Sequence, residues 1–158
     1  MANTQSMCTS FMSEILTATH NFGTAPTRGT SAADTFKAAL YLTTATVNAA
    51  TTAYSATNEV SGTNYTAGGV TVTNATAPTP ANSSATAGVA YWTPSASITY
   101  TNVTLSSAFD AVLIYNSSQS NKAVSVHTFG SQTITAGTFT LTMPSNTTTT
   151  ALLRLSTT

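Results

Sequence analysis

Between Met7 and Leu16 the apolar residues fall in pairs four apart, Met7 with Cys8, Phe11 with Met12 and Ile15 with Leu16, which is the spacing of one helical face. The pattern predicts a short amphipathic helix over about residues 4–18, near the length at which an isolated helix is marginal and needs a surface to lie on. Asn21-Phe22-Gly23 reads as its stop, and Thr24 to Ser31, with Pro26 and Gly29, as a loop. Two dispositions are open: a helix packed on its own core, or an arm docked on a neighbour. Both bury Phe11 and Ile15. The chain accordingly divides into a helix and linker over 1–30 and a β domain over 31–158.

Beyond the loop the period changes to two. Phe36, Ala38, Leu40 and Leu42 alternate with Lys37, Ala39 and Tyr41, and Val70 and Val72 alternate with Thr71 and Thr73, as in strands with one apolar face. Ile98 and Tyr100, then Val103 and Leu105, slip phase at Thr101-Asn102, as a β-bulge would make them. Ala111 to Tyr115 is apolar throughout and reads as a central strand. The polar turn Asn116 to Asn121 joins it to Ala123 to Phe129 in a hairpin. Phe139, Leu141 and Met143 alternate with Thr138, Thr140 and Thr142, Pro144 ends that run, and Ala151 to Leu155 forms the last strand. The expected fold is mainly β: an antiparallel sandwich of about eight strands, jelly-roll or Ig-like, with a short N-terminal helix. Residues 43–69 and 75–88 carry neither period and read as long loops, with a short helical turn near Thr52 to Glu59.

Composition narrows the function more than any motif does. Of 158 residues 37 are Thr and 19 Ser, whereas 5% are charged and the net charge is zero. Thr suits exposed strand faces, being β-branched and wet without charge. The same surface lacks the Lys and Glu that keep β-edges apart. Such a chain is hazardous as a free monomer and suits a fixed assembly. Arg28, Lys37, Lys122 and Arg154 are its only Lys and Arg, too few to hold a phosphate backbone, so no nucleic-acid partner is expected. No run approaches a membrane span, and Met1 to Leu16 has no basic residue, so neither a membrane partner nor a secretory leader is expected. An outward-facing composition without a leader fits a protein made in a host cytoplasm and released within a virion.

Catalytic and metal chemistry find little support. Cys8 has no second cysteine to pair with, and His20, His127 and four carboxylates never fall in a metal-ligand spacing. No metal, cofactor or enzymatic activity is expected. With so many serines, a Ser near a His carries no signal. His127 reads as a surface or interface residue, and His20 as a cation favoured at the helix C-terminus. Glu14, Asp34, Glu59 and Asp110 read as cap, turn or ion-pair residues. Six Asn-x-Ser/Thr triplets are close to the roughly four that chance supplies at this Ser/Thr content. Gly62 and Gly68-Gly69 read as turn glycines, without the helix and Lys-Ser/Thr partner of a phosphate cradle. Tyr54, Tyr65, Tyr91 and Trp92 lie in or beside the loops, where aromatics anchor protein interfaces or form sugar platforms, or simply fill the sandwich end. The candidate assembly residues are therefore Phe11, Ile15, Leu16, Phe22, Tyr54, Tyr65, Tyr91 and Trp92.

Particular strings go further. Met12 to Phe22, Asp34 to Tyr41, Thr52 to Tyr54, Leu113 to Ser117, Asn121 to Val124 and, most specifically, Asn58-Glu-Val-Ser-Gly-Thr-Asn-Tyr-Thr-Ala-Gly-Gly69 resemble small virion structural proteins of tailed bacteriophages. That resemblance implies a capsid decoration, or cement, protein that sits on the outer capsid as a homotrimer and bridges subunits of the major capsid protein. A trimer also matches the local three-fold positions of an icosahedral lattice. The alternative is a tail or head fibre module that binds host-surface carbohydrate through Tyr91, Trp92 and the loop tyrosines.

Overall fold

The computed structural model describes residues 2–16, 18–23, 33–73, 77–81 and 88–156. The Leu16 side chain, the Thr24 to Ser31 loop and most of 75–88 lie outside the described residues. The protein is an antiparallel β-sandwich. One sheet holds five strands in the order β1 (Ser6–Met7), β7 (Lys122–Leu141), β6 (Ile98–Asn116), β2 (Phe36–Leu42) and β3 (Val70–Thr71). The other holds β4 (Thr79–Ala81), β5 (Val89–Trp92) and β8 (Leu153–Ser156).

β6 lies between β7 and β2, and its run from Ala111 to Asn116 is buried throughout, as continuous apolarity demands of a strand covered on both faces. On one face Phe36 stacks on Phe22 at 4.3 Å, and Trp92 of β5 closes on Phe22 at 4.7 Å. This is where the three-stranded sheet meets the five-stranded one. On the other face loop 43–69 lies over the sheet, with Tyr54 stacked on Tyr115 at 4.7 Å and Tyr65 on Tyr100 at 5.9 Å. The loop is closely fitted. At Gly69 (φ 70°) a Cβ would lie 1.6 Å from the Ala38 carbonyl oxygen, and at Gly62 one would lie 2.0 Å from that of Thr104.

The hairpin of β6 and β7 is present, its tip turned by Ser120 (φ 52°) and Asn121 (φ 59°). The phase slip at Thr101-Asn102 is a bulge: Tyr100 pairs with Phe139 and Val103 with Gly137, and Asn102 sits at φ 51°. Further register shifts follow between Leu105, Phe109 and Ala111. Their consequence is a fold in the hairpin itself. The Phe129 and Phe139 rings lie 5.2 Å apart, although a straight strand of ten residues spans about 33 Å. Phe109 sits inside the bend, 5.1 Å from Phe139.

Three expected elements differ. The helix, α1, runs over Thr9–Leu16 and not 4–18, because the backbone before it is taken by the sheet: Ser6 and Met7 pair with Val126 and Ser125, and Thr4 N–H donates to the Val47 carbonyl. Thr52 to Glu59 is not helical. It is bridged at both ends, Ala53 to Lys122 and Glu59 to Tyr41, with a tight turn at Thr57-Asn58 where Asn58 sits at φ 59°. Within 75–88, Thr79–Ala81 is a strand paired with β5. In each case hydrogen bonds to a distant strand overrode the local pattern.

Candidate functional site

The proposed assembly residues mostly serve the chain's own interior. Phe11, Phe22 and Trp92 are buried, Ile15, Tyr54 and Tyr65 pack half-buried against the core, and Tyr91 is half-buried in β5. Phe11, Ile15, Phe22, Tyr91 and Trp92 come together around one apolar hollow, while Tyr54 and Tyr65 lie apart, against Tyr115 and Tyr100. Trp92, 2% exposed, has no face to offer a sugar ring. The N-terminal segment is laid on its own sheet: Cys8 N–H donates to Val124, Thr9 N–H to Ala49, and the Asn3 amide to Asp110.

Four charged side chains, Glu14, Asp34, Lys122 and Glu59, stand instead in two polar clusters. In the first, the His20 side chain is buried beside Phe11, its ring 4.9 Å away. Its Nε2 contacts Glu14 Oε2 at 2.8 Å and its Nδ1 contacts Asn116 Nδ2 at 3.1 Å. Lys122 Nζ donates to the other Glu14 oxygen at 2.6 Å. Asn116 Nδ2 also donates to Asp34 at 2.7 Å, while its Oδ1 accepts the Ser118 N–H. Burial pushes the Glu14 carboxyl up, but the hydrogen bonds and charges of Lys122 and His20 outweigh it and leave it below the usual range. Burial holds His20 below the ordinary imidazole value despite the pull of Glu14 and Asp34. His20 is thus not a helix cap: it bridges α1 to the end of β6. Cys8, close to Glu14, has its thiol pushed up to about 11 by burial and by that carboxylate, so it is an inert core residue.

In the second cluster Glu59 accepts from Tyr54 Oη at 2.6 Å, Tyr65 Oη at 2.8 Å and the Gly68 N–H at 2.7 Å. Tyr65 Oη also accepts the Leu40 N–H, and Tyr115 Oη donates to the Gly68 carbonyl. Burial and then Glu59 raise both Tyr54 and Tyr65 above the usual phenol range. Glu59 therefore organises loop 43–69 from within, and Tyr65 and Gly68, which it holds, join the loop to β2 and β6. The sequence assigned these carboxylates local roles, which Glu59 keeps within its own loop, whereas Glu14 reaches Lys122 and Asp34 reaches Asn116, far away in the chain. The available signal was scarcity, since few charges survive in this composition.

The geometry offers little chemistry. Ser125 Oγ and His127 Nε2 are 2.9 Å apart beside a shallow hollow that Met7 and Arg154 also line, but burial alone shifts His127, down to about 4, and no carboxylate among the described residues acts on its ring to complete a triad. Among the described residues no three His, Cys, Asp or Glu side chains are grouped to hold a metal. Among the same residues no helix is long and apolar enough to cross a membrane. An apolar hollow of about 370 Å³ lies between Phe11, Ile15 and Phe22 and the side chains of Tyr91, Trp92 and Leu155. The outer surface is distinctive for what it lacks. No charged residue occurs from Ala123 to Leu153. β1 reaches only Ser125 and Val126, so from His127 onward β7 has a strand partner on one edge alone among the described residues. Thr133, Thr135, Thr138 and Thr140 are exposed along it. No protein-family model, curated protein or solved structure matches this chain.

Proposed function

We propose that the protein is a non-enzymatic structural component of a tailed-phage virion, a capsid decoration protein that sits as a homo-oligomer, a trimer at local three-folds, on the major capsid protein. The observation that carries this reading is the uncharged outer surface, and above all the unguarded edge of β7. Free proteins protect such edges with Lys, Glu or Pro, whereas a protein seated permanently against neighbours has no need to. The polar groups add support: Glu14, His20, Asp34 and Glu59 are all engaged in hydrogen bonds within the fold. The resemblance of Asn58 to Gly69 to virion proteins supplies the particular assembly.

Imaging of the virion at a resolution that traces the chain tests the proposal. Density over the capsid shell is expected. Density on the tail would refute decoration, and absence of the chain from purified particles would refute a virion role altogether. Thr135→Lys together with Thr138→Lys should lower occupancy on capsids while leaving the melting temperature of the free protein within a degree or two, since exposed substitutions cost little.

A further inference from the structure

The contacts around His20 admit one protonation state. Asn116 Nδ2 has two hydrogens, and two acceptors stand before them, Asp34 Oδ2 at 2.7 Å and His20 Nδ1 at 3.1 Å. The amide cannot be turned over, because Oδ1 would then face the Asp34 carboxylate and lose the Ser118 N–H that it accepts at 3.1 Å. Nδ1 must therefore be a bare acceptor, and the single imidazole proton sits on Nε2, donated to Glu14.

We propose that His20 is an acid-sensitive latch: neutral, it ties the α1 segment to the end of β6, and a second proton, at Nδ1, sets donor against donor at Asn116 and releases that segment while β1 and Phe22 stay on the sheet. The segment is what His20 holds. Glu14 belongs to α1, His20 follows it, and Asn116 and Asp34 belong to the sheet side. Among the described residues, the groups that face the imidazole come from each element packed on it. Glu14 on α1 and Asp34 before β2 favour the cation, while Lys122 of β7, on the far oxygen of Glu14, disfavours it. Phe11, Phe22 and Phe36 surround the ring with centroids 4.9, 6.2 and 6.4 Å away, and Cys8 nearby is neutral. Complete burial decides the balance, and it holds the folded-state value below the ordinary 6.5. The sign follows. Once opened, the segment binds a proton that the closed form refuses, so the closed form is fully favoured above pH 6.5 and loses ground as pH falls below it. This device is independent of the virion role.

Cys8, fully buried in the same segment and the chain's single cysteine, is a built-in reporter. Its labelling by 4,4′-dithiodipyridine, which reacts at acidic pH, is measured on the full chain from pH 7.5 to 5 and divided by the rate for the denatured chain at each pH. Protection is expected to fall by up to about tenfold per pH unit below 6.5, as one-proton linkage dictates. It should be flat in His20→Gln, whose amide offers one donor and one acceptor without titrating, and unchanged from wild type in His127→Gln. Hydrogen exchange in β2 and central β6 should stay slow over this range, which separates local release from unfolding. Equal acid sensitivity in wild type and His20→Gln, or no loss of protection by pH 5, would overturn the latch. Should His20→Gln fail to fold, nitrogen-15 spectra of wild-type His20 decide the matter: the Nε2–H tautomer with a midpoint below 6.5 is expected, and the Nδ1–H tautomer or a midpoint at or above 6.5 refutes it.

Discussion

Deleting residues 1–22 should unfold this protein, and the structure shows where the cost arises. The segment carries Cys8, Phe11 and Phe22 in the core, with Met7 and Ile15 half-buried against it. Two phenylalanines at about 1.5–3 kcal/mol each, with smaller terms for the rest, make roughly 6–10 kcal/mol of lost burial. The deletion also exposes the Phe36 and Trp92 surfaces on which Phe22 rests and strips Asn116 and Lys122 of His20 and Glu14. The backbone bonds from Thr4, Cys8 and Thr9 to Val47, Val124 and Ala49 go as well. Set against a total stability of about 5–15 kcal/mol, the loss is ruinous. Near-UV circular dichroism and Trp92 fluorescence of the truncated chain are the assay, followed by urea unfolding. A truncated chain with the wild-type near-UV spectrum and a cooperative transition would refute this reasoning and restore the view of the segment as a detachable arm. Phe11→Asp, which places one charge among these aromatics, should give the same loss of tertiary signal in milder form.

Other outcomes follow from single sites. Glu59→Gln should cost about 1.5–3 kcal/mol in urea unfolding, the range for a hydrogen bond to a charged group, with faster hydrogen exchange confined to loop 43–69; unchanged exchange there would show that the tyrosine contacts do not hold the loop. Gly69→Ala combines a left-handed backbone with a Cβ 1.6 Å from a main-chain oxygen, so it should destabilise by about 3–5 kcal/mol, and a melting temperature within a degree of wild type would contradict it. His127 is held down from 6.5 to about 4 by burial, so the unfolded chain binds its proton first. Its contribution is complete above pH 6.5 and is lost as pH falls toward 4. His127→Gln should therefore lessen the slope of stability against pH in that window, and an unaltered slope would place the titration elsewhere.

Much of the β architecture was legible because its cause is local. Alternation about Phe36 to Leu42, the unbroken apolar run Ala111 to Tyr115 and the polar turn after it place strands and a hairpin whatever lies across from them, although the first strand proved buried on both faces, Ala39 and Tyr41 included. The phase slip at Thr101-Asn102 announced a bulge for the same reason, since a two-residue period cannot shift without one. Scarcity of charge and abundance of Thr likewise described the surface before any strand was placed. What the sequence left open depends on partners distant in the chain. Residues 4–8 carry a helical stripe but lie against β7 and Val47, because an unpaired sheet edge satisfies their backbone better than a marginal helix does. Thr79–Ala81, with its proline, became an edge strand for want of nothing but a neighbour, β5. Phe11, Phe22 and Trp92 have the composition of an interface, and tertiary packing turned them inward. Glu14, His20 and Asn116 could not be joined on paper: their contacts span a helix, a loop and the far end of β6, and a buried polar group finds its partner in space, not in sequence.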